Sequence, residues 1–218
     1  MLSLTEENYL KAIFHLERSY PAGVSTNALA EEMETKASSV TDMVKKLSEK
    51  DLVEYKKYQG VKLRKRGRST AVGVIRKHRL WEAFLVEKLN FSWDEVHEVA
   101  EQLEHIKSDK LIEELDRFLE FPTRDPHGDP IPDADGNFKE SDRLLLSAFS
   151  VGDKGICTGV KDSSAEFLQY LDKNGIALGQ QLEVLEKEEF DQSMVISFRG
   201  RELPISHRIS TNLYIKKG

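Results

Sequence analysis

Residues 25–68 read STNALAEEMETKASSVTDMVKKLSEKDLVEYKKYQGVKLRKRGR, and this stretch decides the fold. Ser25 can accept hydrogen bonds from the first amides of a short helix, STNALAEEM, that closes near Met33. After a brief polar break, ASSVTDMVKKLSEKD places Val40, Met43, Val44 and Leu47 at helical spacing. LVEYK and VKLRK then flank a Gly-containing turn, which predicts a small hairpin. Two short helices with a tight connection, followed by a basic hairpin, form a winged helix-turn-helix pattern.

That pattern predicts where a polyanion would lie. The second helix would enter a major groove, presenting Lys36, Ser38, Ser39, Thr41, Asp42 and Lys45. From Lys56 to Arg68 there are seven Lys and Arg and no acid, so Lys57, Lys62 and Arg64 are candidates for phosphate contact. A charge run alone is often a solvated face; its position after the helix-turn-helix is what favours nucleic acid. The net charge of −6 hides an asymmetry. Residues 1–80 hold 16 Lys and Arg against 10 Asp and Glu, and the rest holds 16 against 28.

Working outward, TEENYLKAIFHLER (residues 5–18) reads as an amphipathic helix, broken by Pro21 and Gly23. Downstream, a long helix runs from about Ser69 to Leu89, and two more follow Ser92 and Ser108. FPTRDPHGDPIPDADGNF carries four of the six prolines and must be a loop. Beyond it, short apolar runs alternate with turn signals, as in a small barrel-like β domain, interrupted by one helix ending at Gly175. The expected fold is mainly α with a small β domain. Its parts are a winged helix-turn-helix (1–68), a helical domain (69–140) and an SH3-like β-barrel (144–218).

The helical domain carries the metal signal. His78 and Glu82 stand at i and i+4. The next helix carries His97, Glu101, Glu104 and His105, which share about a 100° sector. Opposite them lie Val96, Val99, Ala100, Leu103 and Ile106. A lone HxxxE occurs often by chance. Three of six histidines in two neighbouring helices, each with Glu at helical spacing, point to divalent transition metals and a binuclear site. His15, His127 and His207 read as isolated, structural or exposed.

Other classes are disfavoured. The apolar runs are too short to span a bilayer, so no membrane is expected. The N-terminus lacks a basic region followed by an apolar one. The single cysteine, Cys157, excludes an intramolecular disulfide, in keeping with a cytoplasmic protein.

The runs VIRKHRLWEAFLVEKL, VHEVAEQLEHIKSD and DPHGDPIP, with LTEENYLKAI and YKKYQGVKLRKRG, resemble the metal-dependent regulators related to the diphtheria toxin repressor and the manganese transport regulator. LQYLDKNGIALGQQLEVLEK is similar to the SH3-like (FeoA-like) domain of their long forms. The resemblance implies a DNA-binding domain and a dimerisation domain holding two ions per subunit. By position, His78, Glu82 and His97 match one site, with Glu166 where a third-domain ligand sometimes stands. Asn8, Glu101, Glu104 and His105 match the other. Asn8 departs from the Asp or Met usual there, leaving Glu7 or water as alternative donors. Glu101 stands where iron-sensing members carry Cys, and a hard oxygen in place of a thiolate favours Mn(II).

The expectation is a homodimeric, metal-dependent repressor of metal-homeostasis genes, reading a pseudo-palindromic operator in double-stranded DNA. Mn(II) is the expected activator and Fe(II) the alternative. It has no enzymatic role and no small-molecule substrate. The rivals are a metalloenzyme, since His/Glu sites can activate water, and a protein-interaction module. The first leaves the basic wing unexplained; the second predicts no salt-sensitive retention on DNA.

Overall fold

The computed structural model describes residues 2–56, 59–139 and 142–218. The chain divides into two compact units. One comprises Met1–Trp81, Glu101–Glu114 and Pro132–Phe138; the other comprises Glu82–Ala100, Leu115–Ile131 and Lys139–Gly218.

The first unit opens with α1 (Leu4–Leu16), α2 (Thr26–Glu32) and α3 (Ala37–Glu49). Ser3 and Glu6 form a reciprocal capping box at the start of α1. Ser25 caps α2 through its hydroxyl, as its sequence position predicts. The apolar faces converge on a core containing Leu10, Ile13, Leu29, Val40, Val44 and Leu47. Glu6 also meets Lys50 at 2.7 Å and Lys46 at 3.0 Å, binding α1 to α3. Burial opposes ionisation of Glu6. Its bonds to Lys50, the Ser3 amide and Lys46 outweigh that and bring its pKa to about 2.

The hairpin follows: β1 (Val53–Lys56) pairs antiparallel with β2 (Gly60–Leu63). Gly60 turns it with φ +90°. The next helix, α4 (Lys65–Leu89), starts earlier than the expected Ser69. Pairing between the strands ends at Val53 and Leu63, and Arg64 carbonyl at once accepts the Arg68 amide. The basic run is therefore part strand and part helix. Gly67 is required where α4 meets the chain after α3, because a Cβ there would sit 2.0 Å from the Leu52 carbonyl oxygen.

α5 (Val96–Leu103) and α6 (Asp109–Phe118) are shorter than the sequence pattern suggests. Trp93 to Glu95 form a turn rather than the first turn of α5, with Glu95 bonded back to the Ser92 amide. At the other end, Glu104 and His105 lie in the turn after α5.

The second unit is built on one antiparallel sheet. Its strands are β3 (Leu144–Leu145), β4 (Lys154–Val160), β5 (Gln181–Lys187), β6 (Met194–Phe198), β7 (Arg201–Ile205) and β8 (Leu213–Lys217). Their order is β3-β8-β4-β5-β6-β7. α7 (Ala165–Asn174) buries Phe167, Leu168 and Leu171 and ends at Gly175 in the left-handed region, as the sequence indicates. A short α8 (His207–Ser210) precedes β8. Cys157 is buried in this core, and burial pushes its thiol up to about 11.

Candidate metal centre

In the first unit, three elements bring donors together. α1 supplies Glu7, Asn8 and Lys11, one turn of helix. α4 supplies His78. The end of α5 and the turn beyond it supply Glu101, Glu104 and His105. The His78 Nδ1 lies 2.6 Å from Glu104 Oε2, and His105 Nδ1 lies 2.7 Å from Glu7 Oε2. Lys11 donates to both oxygens of Glu104, at 2.7 and 3.0 Å, and stands 3.6 Å from Glu101.

Glu104 is 1% exposed. Burial alone would raise its pKa, but the His78 contact and the Lys11 charge prevail and lower it, so it is ionised. Asn8 Oδ1 is buried and has no hydrogen-bond partner. A buried amide oxygen left unpaired costs free energy unless something electropositive meets it. Asn8, Lys11 and Glu101 line a cavity of about 260 Å³. Hard oxygen donors with imidazole nitrogen are the set that first-row divalent ions accept, so these residues fit an ion.

A second cluster lies in the other unit. Glu82, Asp125 and His127 are all buried, and a ligand atom from each lies within 4.8 Å of the others. His127 Nδ1 and His97 Nδ1 each stand 3.6 Å from Glu82 Oε1. His127 Nε2 faces the Trp93 carbonyl at 2.7 Å, which directs Nδ1 to Glu82. Burial opposes the charge on His127, but Glu82 and Asp125 overcome it and bring the pKa to about 9. Asp125 Oδ1 accepts from the His127 and Asp129 amides, each at 2.9 Å, fixing the DPHGDP turn.

The structure places these residues differently from the sequence reading in two respects, the shared helix face and the isolation of His127. The shared face expected of His97, Glu101, Glu104 and His105 does not come from one helix, since α5 stops at Leu103. Glu104 and His105 reach the site because the turn points them back to α1. His78 Nδ1 meets Glu104 at 2.6 Å. His127, expected to be isolated, is buried against Glu82. Glu166 stands exposed in the first turn of α7. Lys11 gave no signal in the sequence as a member of the site, though its i, i+3 spacing from Asn8 could have placed it there.

The geometry of the DPHGDP turn yields a prediction. Gly128 has φ +84°, and a Cβ would lie 2.1 Å from the Thr158 carbonyl oxygen. Gly128→Ala is expected to cost about 2–4 kcal/mol in thermal unfolding, by strain and by collision with backbone. A change within the scatter of repeated melts would contradict it.

Also in the first unit, Lys36, Ser38, Ser39, Lys45, Lys62 and Arg64 are exposed, and Thr41 is half-buried. Thr41 Oγ1 donates to the Ala37 carbonyl, Lys45 stands 3.8 Å from Asp42, and Arg64 pairs with Asp51. Lys36 occupies the N-cap of α3 without a side-chain cap bond. Lys57 lies outside the described residues.

Three family models match successive stretches of the chain. The iron-dependent repressor N-terminal DNA-binding domain matches residues 1–61. The iron-dependent repressor metal-binding and dimerisation domain matches residues 64–133, and the FeoA domain matches residues 144–217. The iron-dependent repressor IdeR of Mycobacterium leprae is 34% identical over 128 residues, 59% of this chain. That match spans only 55% of the relative's own length. The diphtheria toxin repressor of Corynebacterium diphtheriae is 26% identical over 98% of this chain and 97% of its own. Among solved structures, a manganese-dependent transcriptional repressor in complex with manganese has a TM-score of 0.88 and 36% identity, covering 98% of this chain and 100% of that one. The manganese regulator SloR has a TM-score of 0.79 and 35% identity, covering 98% of each. Together the matches define a class of repressor that joins a DNA-binding domain to a metal-binding and dimerisation domain. The chain belongs to the iron-dependent repressor family, the metal-dependent transcriptional repressors that include the diphtheria toxin repressor.

Proposed function

We propose that the chain is a manganese-activated repressor of metal-homeostasis genes that binds a pseudo-palindromic DNA operator as a homodimer in the cytoplasm. The observation that carries this reading is the buried, unpaired Asn8 oxygen on α1, which lines the same cavity as Glu101. α1 is also tied to the reading helix through Glu6, Lys46 and Lys50. A divalent ion bound there supplies positive charge shared by Asn8, Glu101, Glu104 and His105, with Glu7 and His78 adjoining. Those residues would hold α1 at one angle to α4 and to the turn after α5. That orientation is the quantity a two-headed DNA reader must fix, since two recognition helices must sit one helical turn apart. Metal favours binding only so far as it prefers that conformer, and DNA tightens metal by the same factor.

A second ion per subunit would be held by Glu82 and His97, with His78 as the resemblance suggests and with Asp125 and His127 close to Glu82. Glu166 is the ligand with least support. The three domains would be residues 1–68, 69–140 and 144–218. Leu89, Phe118 and Phe121 are each more than half exposed in the helical region, which supports a dimer partner there. No helix among the described residues is long and apolar enough to cross a membrane.

Manganese rather than iron is favoured because the donor set is all oxygen and imidazole nitrogen. The one cysteine of the sequence is buried in the β core, remote in role from these donors. Reporter expression in cells titrated with each metal tests this; a response to Fe(II) but not Mn(II) would overturn it. The family's DNA-binding repressors are not an enzyme class, which supports reading the chain as a regulator. Lys62→Ala should weaken operator binding across all sequences and reduce the slope of log affinity against log salt by about 1. An unchanged slope would remove Lys62 from the interface.

A further inference from the structure

We infer that Lys11 is a built-in competitor of the metal centre: its ammonium holds the Glu101–Glu104 pair and must leave before both carboxylates can ligate an ion. The inference rests on the metal reading proposed above and names the residue that sets the metal threshold.

The ammonium donates to both oxygens of Glu104 and lies 3.6 Å from Glu101. Glu104 is the most buried acid of the cluster, and its two oxygens meet cationic or imidazole groups, Lys11, His78 and His105. A carboxylate so desolvated binds a cation strongly whichever cation it is. Lys11 provides a single charge on a flexible stem, whereas an ion adds direct bonds to several donors at once. The two therefore compete for the same oxygens. Lys11 also has somewhere to go. The adjoining cavity of about 260 Å³ is lined by Lys11 itself and by Glu32 and Glu34, which offer the displaced ammonium new acidic partners.

This arrangement gives Lys11 two opposed effects. It stabilises the protein without metal, because its charge offsets the repulsion between two neighbouring carboxylates. It weakens metal binding, because that neutralisation has to be undone. A lysine with a merely structural role would do only the first, and its loss would loosen α1 and weaken metal binding as well.

The test compares the full-length wild type with Lys11→Met and Lys11→Arg. Mn(II) affinity is measured by calorimetry on chelator-treated protein, and thermal unfolding is followed without metal. Lys11→Met is expected to bind Mn(II) about tenfold more tightly while melting at a lower temperature without metal. Lys11→Arg should follow the wild type in both. If Lys11→Met binds Mn(II) no more tightly than the wild type, the competitor role is wrong even though the metal reading stands. If the wild type binds no Mn(II), the metal reading fails and the inference with it.

Discussion

Glu104→Ala is expected to abolish metal-dependent DNA binding while leaving a folded dimer. Glu104 is the hub of the first cluster: it faces His78 at 2.6 Å, Lys11 at 2.7 Å and His105 at 3.7 Å. Removing it deletes a buried anionic donor, and no other side chain of the cluster replaces it there. Loss of even an outer partner of a ligand typically weakens a metal 10–100-fold, so loss of this donor should reach at least about 100-fold. The folded state should suffer less. Lys11 keeps Glu101 at 3.6 Å, and the core of the first unit does not depend on Glu104. About 2–4 kcal/mol of stability without metal is at stake, from leaving His78 and Lys11 partly uncompensated. Gel shifts with and without Mn(II), beside size-exclusion chromatography and circular dichroism, separate these outcomes. Metal-dependent binding retained by Glu104→Ala would count against the first cluster as the switch. Adding His105→Ala should change little further, because the site is already lost.

Most of the first unit was legible because local signals agreed. Ser25, the spacing of Val40, Val44 and Leu47, and the Gly60 turn each specified one element, and the core formed from the same residues. The residue types of the candidate site were legible; the route by which Glu104 and His105 reach it was not. Periodicity assigned Glu104 and His105 to a helix face, yet α5 ends at Leu103. No period reports a turn that folds two side chains back onto another element. His127 was missed for a related reason: its partner Glu82 lies on a different element, far away in sequence, and only folding joins them. Lys11 was missed because a lysine among carboxylates reads as an ordinary surface charge. The edge strand β3 has two residues, too few to set up an alternation.

Glu82→Gln is expected to act on the second cluster in two ways, one of them visible without metal. Glu82 is 2% exposed and lies 3.6 Å from both His127 and His97. His127 has a folded pKa of about 9 against an ordinary value of 6.5, chiefly because Glu82 overcomes the cost of burial. A raised pKa means that the protonated form is favoured by folding. Its contribution to stability is therefore complete below about pH 6.5 and is lost as pH rises through about 9. At roughly 1.4 kcal/mol per unit, that contribution is on the order of 3 kcal/mol. The metal-free wild type should melt at progressively lower temperature across this window. Glu82→Gln removes the charge that raises His127. It should be less stable by a similar amount at pH 6 and nearly equal to the wild type at pH 9.5. An ion held by Glu82 would take up the charge that keeps His127 protonated, so the wild type should also release a proton when the second ion binds, detected by calorimetry in buffers of different ionisation heat. Glu82→Gln should bind about one ion fewer per subunit. A variant whose melting curve keeps the full pH dependence would show that His127 is not held charged by Glu82.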